Sequence, residues 1–150
     1  MTRMRRWLKG FGISFGIVAG LFGLMQLVPC GRTHSNPARR VEPAWDSPRT
    51  RELVVRACFD CHSNETRWPW YANVAPMSWV VELDVEKARE IVNFSEWQRA
   101  QPLAPYSPHS VATRGMPPAK YKVAHPEADL TDRETLDLIH GLEATLGRPK

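Results

Sequence analysis

Two cysteines separated by two residues and followed at once by a histidine, Cys58-Phe59-Asp60-Cys61-His62, are the most reactive cluster in this 150-residue sequence. Two thiols so spaced can add to the two vinyl groups of one porphyrin, while the next residue offers an imidazole nitrogen to the iron from the same short turn. That is the pattern of c-type haem attachment. On this reading Cys58 and Cys61 carry the thioether bonds and His62 is the proximal ligand. Zinc is the weaker alternative, because a four-ligand site normally draws on a second C-x-x-C or a spaced histidine pair. The only other cysteine is Cys30, and His109 and His125 stand far apart. A thioredoxin-like redox pair would need a βαβ setting, and no such strands surround the motif.

An iron held by His62 also asks for a partner from well downstream. Met116 is the choice: in Arg114-Gly115-Met116-Pro117-Pro118 the prolines leave a loop-like backbone that can hold a thioether toward iron. The alternatives are His125, in Ala124-His125-Pro126, His109, in Ser107-Pro108-His109-Ser110, or an open position. Met77 reads as core packing near a helix start, and His140 as a surface or half-buried residue of the last helix. The choice has consequences, since methionine–histidine ligation raises the reduction potential relative to two imidazoles. An open position would instead admit gases or peroxide.

These residues need elements to position them. Arg3, Arg5, Arg6 and Lys9 precede an uncharged run over residues 10–28, closed by Pro29. As a helix, residues 11–28 cover about 27 Å, near the lower end of what a hydrocarbon core requires. Residues 10–29 are thus expected to be a transmembrane anchor behind a short cytoplasmic basic segment, residues 1–9. The positive-inside rule leaves everything from Cys30 onward outside the cytoplasm, where C-x-x-C-H motifs receive haem in bacteria. Cleavage is the rival fate. Leu27-Val28-Pro29-Cys30-Gly31 hints at a lipoprotein box with Cys30 lipidated, although proline before the cysteine argues against it. Gly12, Gly16 and Gly20 form a smooth stripe suited to pairing with another membrane helix.

Charge divides unevenly. Residues 1–40 hold seven Lys or Arg and no acid, leaving 13 basic against 16 acidic side chains in residues 41–150. The formal charge of +4 therefore reflects membrane orientation, and no basic stripe supports nucleic-acid binding. Residues 30–49 read as a polar, proline-containing linker and residues 50–150 as the haem-binding domain. Ser47 or Thr50 is expected to cap a helix in which Leu53, Val54, Ala57 and Cys58 share a face, with the motif on its last turn. A second helix begins near Ser78. The last begins at Thr131, which forms a capping box with Glu134 ahead of Leu136, Ile139, Leu142 and Leu146, and stops at Gly147 and Pro149. No run alternates over strand length, so the expected class is all-α: three or four short helices around one covalent haem, cytochrome c-like, behind one transmembrane helix.

The chain resembles the bacterial haem-binding domain family of small, membrane-anchored proteins with a single c-type haem. The likeness rests on Cys58-Phe59-Asp60-Cys61-His62-Ser63-Asn64, Thr66-Arg67-Trp68-Pro69-Trp70-Tyr71, Ala75-Pro76 with Ser78-Trp79, Asn93-Phe94-Ser95-Glu96-Trp97, and Met116-Pro117-Pro118 followed by Tyr121 and His125-Pro126. It implies an electron-carrying haem protein with Cys58, Cys61 and His62 at the attachment motif and Met116 at the distal position. Gly141 departs from the pattern, since similar sequences tend to carry tryptophan there, and a glycine inside a helix costs about 0.5–1 kcal/mol relative to alanine. Trp68, Trp70, Tyr71 and Trp97 are equally suited to line a haem pocket or to fill an ordinary core.

The resulting expectation is a bacterial inner-membrane, single-pass protein whose periplasmic domain passes single electrons to an unidentified redox partner protein through haem c. A haem sensor or peroxidase-like enzyme would need an exchangeable sixth ligand. A structural or assembly factor would use haem only to stabilise its fold.

Overall fold

The computed structural model describes residues 2–147. Pro149, expected to help end the last helix, lies outside the described residues, as do the side chains of Arg3, Arg5 and Arg6. Among the described residues the secondary structure is helical, with no strand and one isolated parallel bridge between Val41 and Glu96. The chain divides into two compact units, Met1–His34 with Pro69–Leu83 and Ser35–Trp68 with Asp84–Lys150.

The first unit is built on α1 (Thr2–Met25). Its stretch Trp7–Met25 has a mean hydropathy of 1.7 and no buried residue, and is long and apolar enough to cross a membrane. Gly12, Gly16 and Gly20 leave open space beside that helix. Past its end, the Gln26 amide donates to the Ala75 carbonyl at 2.9 Å and accepts from the Ala75 N–H at 3.0 Å. Arg32 donates to both oxygens of Gln26, backbone and side chain, at 2.9 Å each, which places a cation beside the helix's carbonyl end. Gly31 takes a φ of 76° and lies against the backbone of Ser78 and Trp79, where an added Cβ would stand 2.6 Å from the Trp79 nitrogen. Only glycine suits that approach.

The second unit holds the cysteine–histidine motif. Helix α2 (Pro48–Ala57) opens at Ser47, whose hydroxyl accepts from the Thr50 N–H at 3.1 Å, with Pro48 in the first turn. The cap is thus Ser47, and Thr50 points into the core. A separate turn, α3 (Phe59–His62), follows at once, so the motif has its own turn where the sequence suggested the end of α2. Next come the C-terminal half of α4 (Met77–Ile91), α5 (Ser107–Ala112), α6 (Ala119–Ala124) and α7 (Asp132–Leu146). The prolines divide the chain into more and shorter helices than three or four. Residues 36–41 are hydrogen-bonded rather than bare: Arg40 and Val41 donate to the Ser95 carbonyl at 3.0 and 3.2 Å, and the Asn36 amide donates to the Thr66 carbonyl at 2.9 Å.

Helix α7 forms the expected capping box and ends at Gly147. It packs on α2 and α5 around a shared core of Leu53, Val54, Phe59, Val92, Phe94, Val111, Leu138 and Leu142. Each such buried aliphatic or aromatic side chain stabilises the fold by about 1.5–3 kcal/mol. The apolar stripe is phased differently from the sequence reading, since Leu136 is exposed and Leu138 fully buried. Met77, expected in the core, is exposed at the first position of α4. Gly141 is no weak point: a Cβ there would strike the Thr50 side chain, so its absence is what lets α7 lie against α2.

Candidate functional site

The motif turn is fixed at both ends by backbone bonds. Cys58 donates to the Val54 carbonyl at 2.8 Å, closing α2, while its own carbonyl accepts from Cys61 at 3.2 Å and His62 at 2.9 Å. Residues 58, 61 and 62 therefore stand on one face of a single turn. Both cysteines are free thiols. Burial pushes the Cys58 thiol up to about 12, and burial with the Asp60 carboxylate pushes that of Cys61 up to about 11, so both carry their proton at neutral pH. Burial lowers the pKa of His62, which keeps the imidazole neutral. Its Nδ1 lies 3.0 Å from the Val92 carbonyl. A carbonyl can only accept, so the proton sits on Nδ1 and the lone pair on Nε2.

Residues 92–95, which supply that carbonyl, are themselves pinned. Phe94 donates to the His62 carbonyl at 2.8 Å. The buried Asn93 amide donates to Asn64 Oδ1 at 2.8 Å and accepts from the Ser95 N–H at 2.9 Å, and Ser95 Oγ accepts from the Asn64 N–H at 3.0 Å. Gln101 closes the set with bonds of 2.7 and 2.6 Å to the Asn93 backbone. Buried networks satisfied this fully hold one geometry.

The methionine loop is held more lightly. The chain leaves α5 through Arg114, whose φ of 57° is left-handed and unusual for a residue with a side chain. Gly115 and Met116 then both donate to the Ser110 carbonyl, at 2.9 and 3.1 Å. Met116 itself is 41% exposed. Beyond it, α6 is tied to the motif by Tyr121, whose hydroxyl donates to Asp60 Oδ2 at 2.7 Å. Burial and the Asp60 carboxylate raise the Tyr121 pKa, so the phenol stays a donor. Asp60 also accepts from the Arg67 backbone N–H at 3.1 Å and from its guanidinium at 3.2 Å through Nε and Nη2.

Two hollows meet at these residues. One, of about 250 Å³, is walled by Cys58, His62, Val92, Phe94, Met116 and Leu142 among others. The other, of about 300 Å³, has Cys58, Cys61, His62, Met116, Lys120 and Tyr121 on its wall. Cys58, His62 and Met116 border both and Cys61 borders the second, so the structure brings together all four residues singled out by their types and spacing. His125 and His109 border neither: the His125 ring stacks on Tyr121 at 4.2 Å, and His109 is exposed on α5. Trp70 and Tyr71 belong to the first unit; Trp68 and Trp97 border neither hollow, and Trp97 stacks on Phe94 at 6.1 Å instead.

A flat apolar macrocycle with a metal and acidic edge groups matches this donor set. The cleft offers a neutral imidazole with its lone pair on Nε2, a thioether, two thiols and aliphatic walls from Ile91, Val92, Leu103 and Val111, and its two parts together fall within the roughly 300–1,000 Å³ of cofactor sites. Lys87 and Lys120 stand at its border for the acid groups, paired for now with Glu90 and Asp84. The sequence reading had no role for Asp60, Arg67, Tyr121 or the Val92 carbonyl. Asp60 and Tyr121 lie inside motifs that drew notice for other reasons, but no local pattern pairs residues so far apart, and a backbone acceptor leaves no mark in a sequence. No curated protein and no solved structure matches the chain. The family model of the haem-binding domain matches residues 20–144, and the chain belongs to that family.

Proposed function

We propose that this haem-binding protein is a membrane-tethered, periplasmic c-type haem protein that passes single electrons through an iron held by His62 and Met116. The observation that carries this reading is the His62 imidazole, neutral and with Nδ1 bonded to the Val92 carbonyl, which leaves Nε2 as a ligand on the wall that Met116 shares. Haem bound here would supply a one-electron couple between ferrous and ferric iron. Cys58 and Cys61 would hold it covalently, each thiol adding S–H across one vinyl double bond with no oxidant consumed. Val92 fixes the ring orientation and the tautomer. The apolar walls would shield a bound haem from water, which would disfavour the more charged state and raise the potential.

The topology part of the proposal rests on α1. Its membrane-crossing length and the basic residues of its N-terminal turns support an N-terminus in the cytoplasm and a haem domain outside. The exposure of Met116 favours a second reading, a sensor or peroxidase-like enzyme in which the thioether yields to an incoming ligand.

One experiment separates these. The full chain is produced with a cytochrome c maturation system, and spectra of both oxidation states are recorded for it and for Met116→Ala. Acid-resistant haem with the long-wavelength band of methionine–iron ligation, lost in Met116→Ala, is the expected result. Covalent haem unchanged by the substitution moves the ligand elsewhere, and rapid carbon monoxide binding by the reduced wild type favours the sensor or enzyme. Absence of covalent haem overturns the proposal.

A further inference from the structure

Residues 69–81 contain no charged side chain yet carry Trp70, Tyr71 and Trp79. A run so apolar belongs in a core or at an apolar boundary, and several of its residues face outward: Trp70 is 79% exposed, Met77 45%, Val80 41%, and the following Leu83 54%. The last three recur every third residue at the start of α4 and so form one stripe. This stripe shares a compact unit with the membrane-length helix and is fastened to that helix's end. Gln26 pairs through its amide with Ala75, Gly31 lies on the backbone of Ser78 and Trp79, and His34 Nε2 stands 3.0 Å from the Ala72 carbonyl. Exposed Leu27 and Val28 continue the apolar surface from α1 toward it.

We propose that residues 69–83 lie on the bilayer, with Trp70 and the stripe of Met77, Val80 and Leu83 in the boundary between headgroups and acyl chains. The inference rests on the reading that α1 stays in the membrane. Tryptophan and tyrosine concentrate at that depth because their rings are apolar with one polar edge. A helix whose first turn is uncharged and that carries an apolar stripe settles there by burying the stripe. Lipid is favoured over a partner protein because the stripe is tied within a few residues of where the apolar span ends, at the level where headgroups already stand. The protein then touches the membrane twice, once across it and once along its surface.

The test places a benzophenone-bearing amino acid in turn at Trp70, at Ile17 in the span and at Val123, an exposed apolar residue of the other unit. The full-length holoprotein is reconstituted into vesicles of phosphatidylethanolamine and phosphatidylglycerol, irradiated and weighed by mass spectrometry. Roughly tenfold more lipid adduct at position 70 than at 123, with strong labelling at 17, is the expected result. Labelling at 17 without labelling at 70 leaves the anchor standing and overturns the surface contact. Failure at both positions removes the anchor reading and this inference with it. Equal labelling at 70 and 123, or a protein adduct in place of lipid at 70, also overturns it.

Discussion

Residues 58–62 and the loop at Met116 border the same cleft but are built to different stiffness. The first is one helical turn with thiols and imidazole largely withdrawn from solvent, its histidine held by the Val92 carbonyl and its backbone by Phe94. The second is an exposed loop whose Gly115 and Met116 hang by two N–H bonds on a single carbonyl, beside an exposed Arg114–Asp132 pair, with Tyr121 as its nearest tie to the motif. On the proposed reading the first region would carry the covalent attachment and the proximal ligand, which need fixed geometry, since the thiols and the imidazole would have to meet one macrocycle together. The second would supply the distal ligand proposed above, which would set the potential and admit or refuse exogenous ligands, so a loosely held thioether there would leave that property adjustable without risk to retention.

The widest separation between the two regions is expected from deletion on each side. Cys58→Ala with Cys61→Ala should abolish acid-resistant haem altogether, whereas Met116→Ala should keep it and lower the reduction potential by a share of the roughly 0.8 V over which axial ligands act. Haem staining of denaturing gels and potentiometric titration read the two. Equal haem loss in both variants would erase the distinction.

Stiffness of the motif side also depends on how closely α7 lies on α2. In Gly141→Ala the new methyl meets the Thr50 side chain, with Thr50 Cγ2 only 2.7 Å away, and overpacking of this kind costs about 1–3 kcal/mol. Chemical denaturation should show that loss, and adding Thr50→Ala should recover part of it. A neutral Gly141→Ala would mean that α2 and α7 can part without cost.

Tyr121→Phe probes the link between the regions. It removes one hydrogen bond to a carboxylate that keeps its Arg67 partner, so a stability loss of about 1–2 kcal/mol is expected, toward the low end for bonds to charged groups. The sharper readout is carbon monoxide binding to the reduced protein, which should quicken as α6 and the methionine loop loosen. An unchanged rate would place the loop's hold entirely in the Ser110 bonds.

The two regions were also unequally legible in the sequence. Cys58, Cys61 and His62 lie within one turn, so their spacing states their geometry. The capping box at Thr131 and Glu134 is likewise local and was read directly. Met116 could be singled out only by its prolines, because what places it beside His62 is a left-handed residue at Arg114 and a long-range bond from Tyr121. Gly141 shows the same limit: its cost within the helix is local and legible, whereas its necessity against Thr50 is not. The burial of Leu138 over Leu136 depended on which side of α7 met α2 and α5, which periodicity alone does not fix.

The smallest effect expected is electrostatic and belongs to the motif side alone. Glu134, at the start of α7, has its pKa held down to about 2 from the ordinary 4.5, first by its bond to Arg56 and then by the Thr131 N–H. Arg56 and Arg49 both lie on α2, so the carboxylate joins the two helices. A folded-state value depressed below the unfolded one contributes stability that is complete above the unfolded value and lost as pH falls through the folded one. The melting temperature of the holoprotein should therefore fall as pH drops from about 4.5 toward about 2, and less steeply in Glu134→Gln. The methionine–iron band at neutral pH should be the same in both proteins, because neither α2 nor α7 supplies the bonds that hold residues 115 and 116. A Glu134→Gln variant with an altered band would show that the two regions share their stiffness after all.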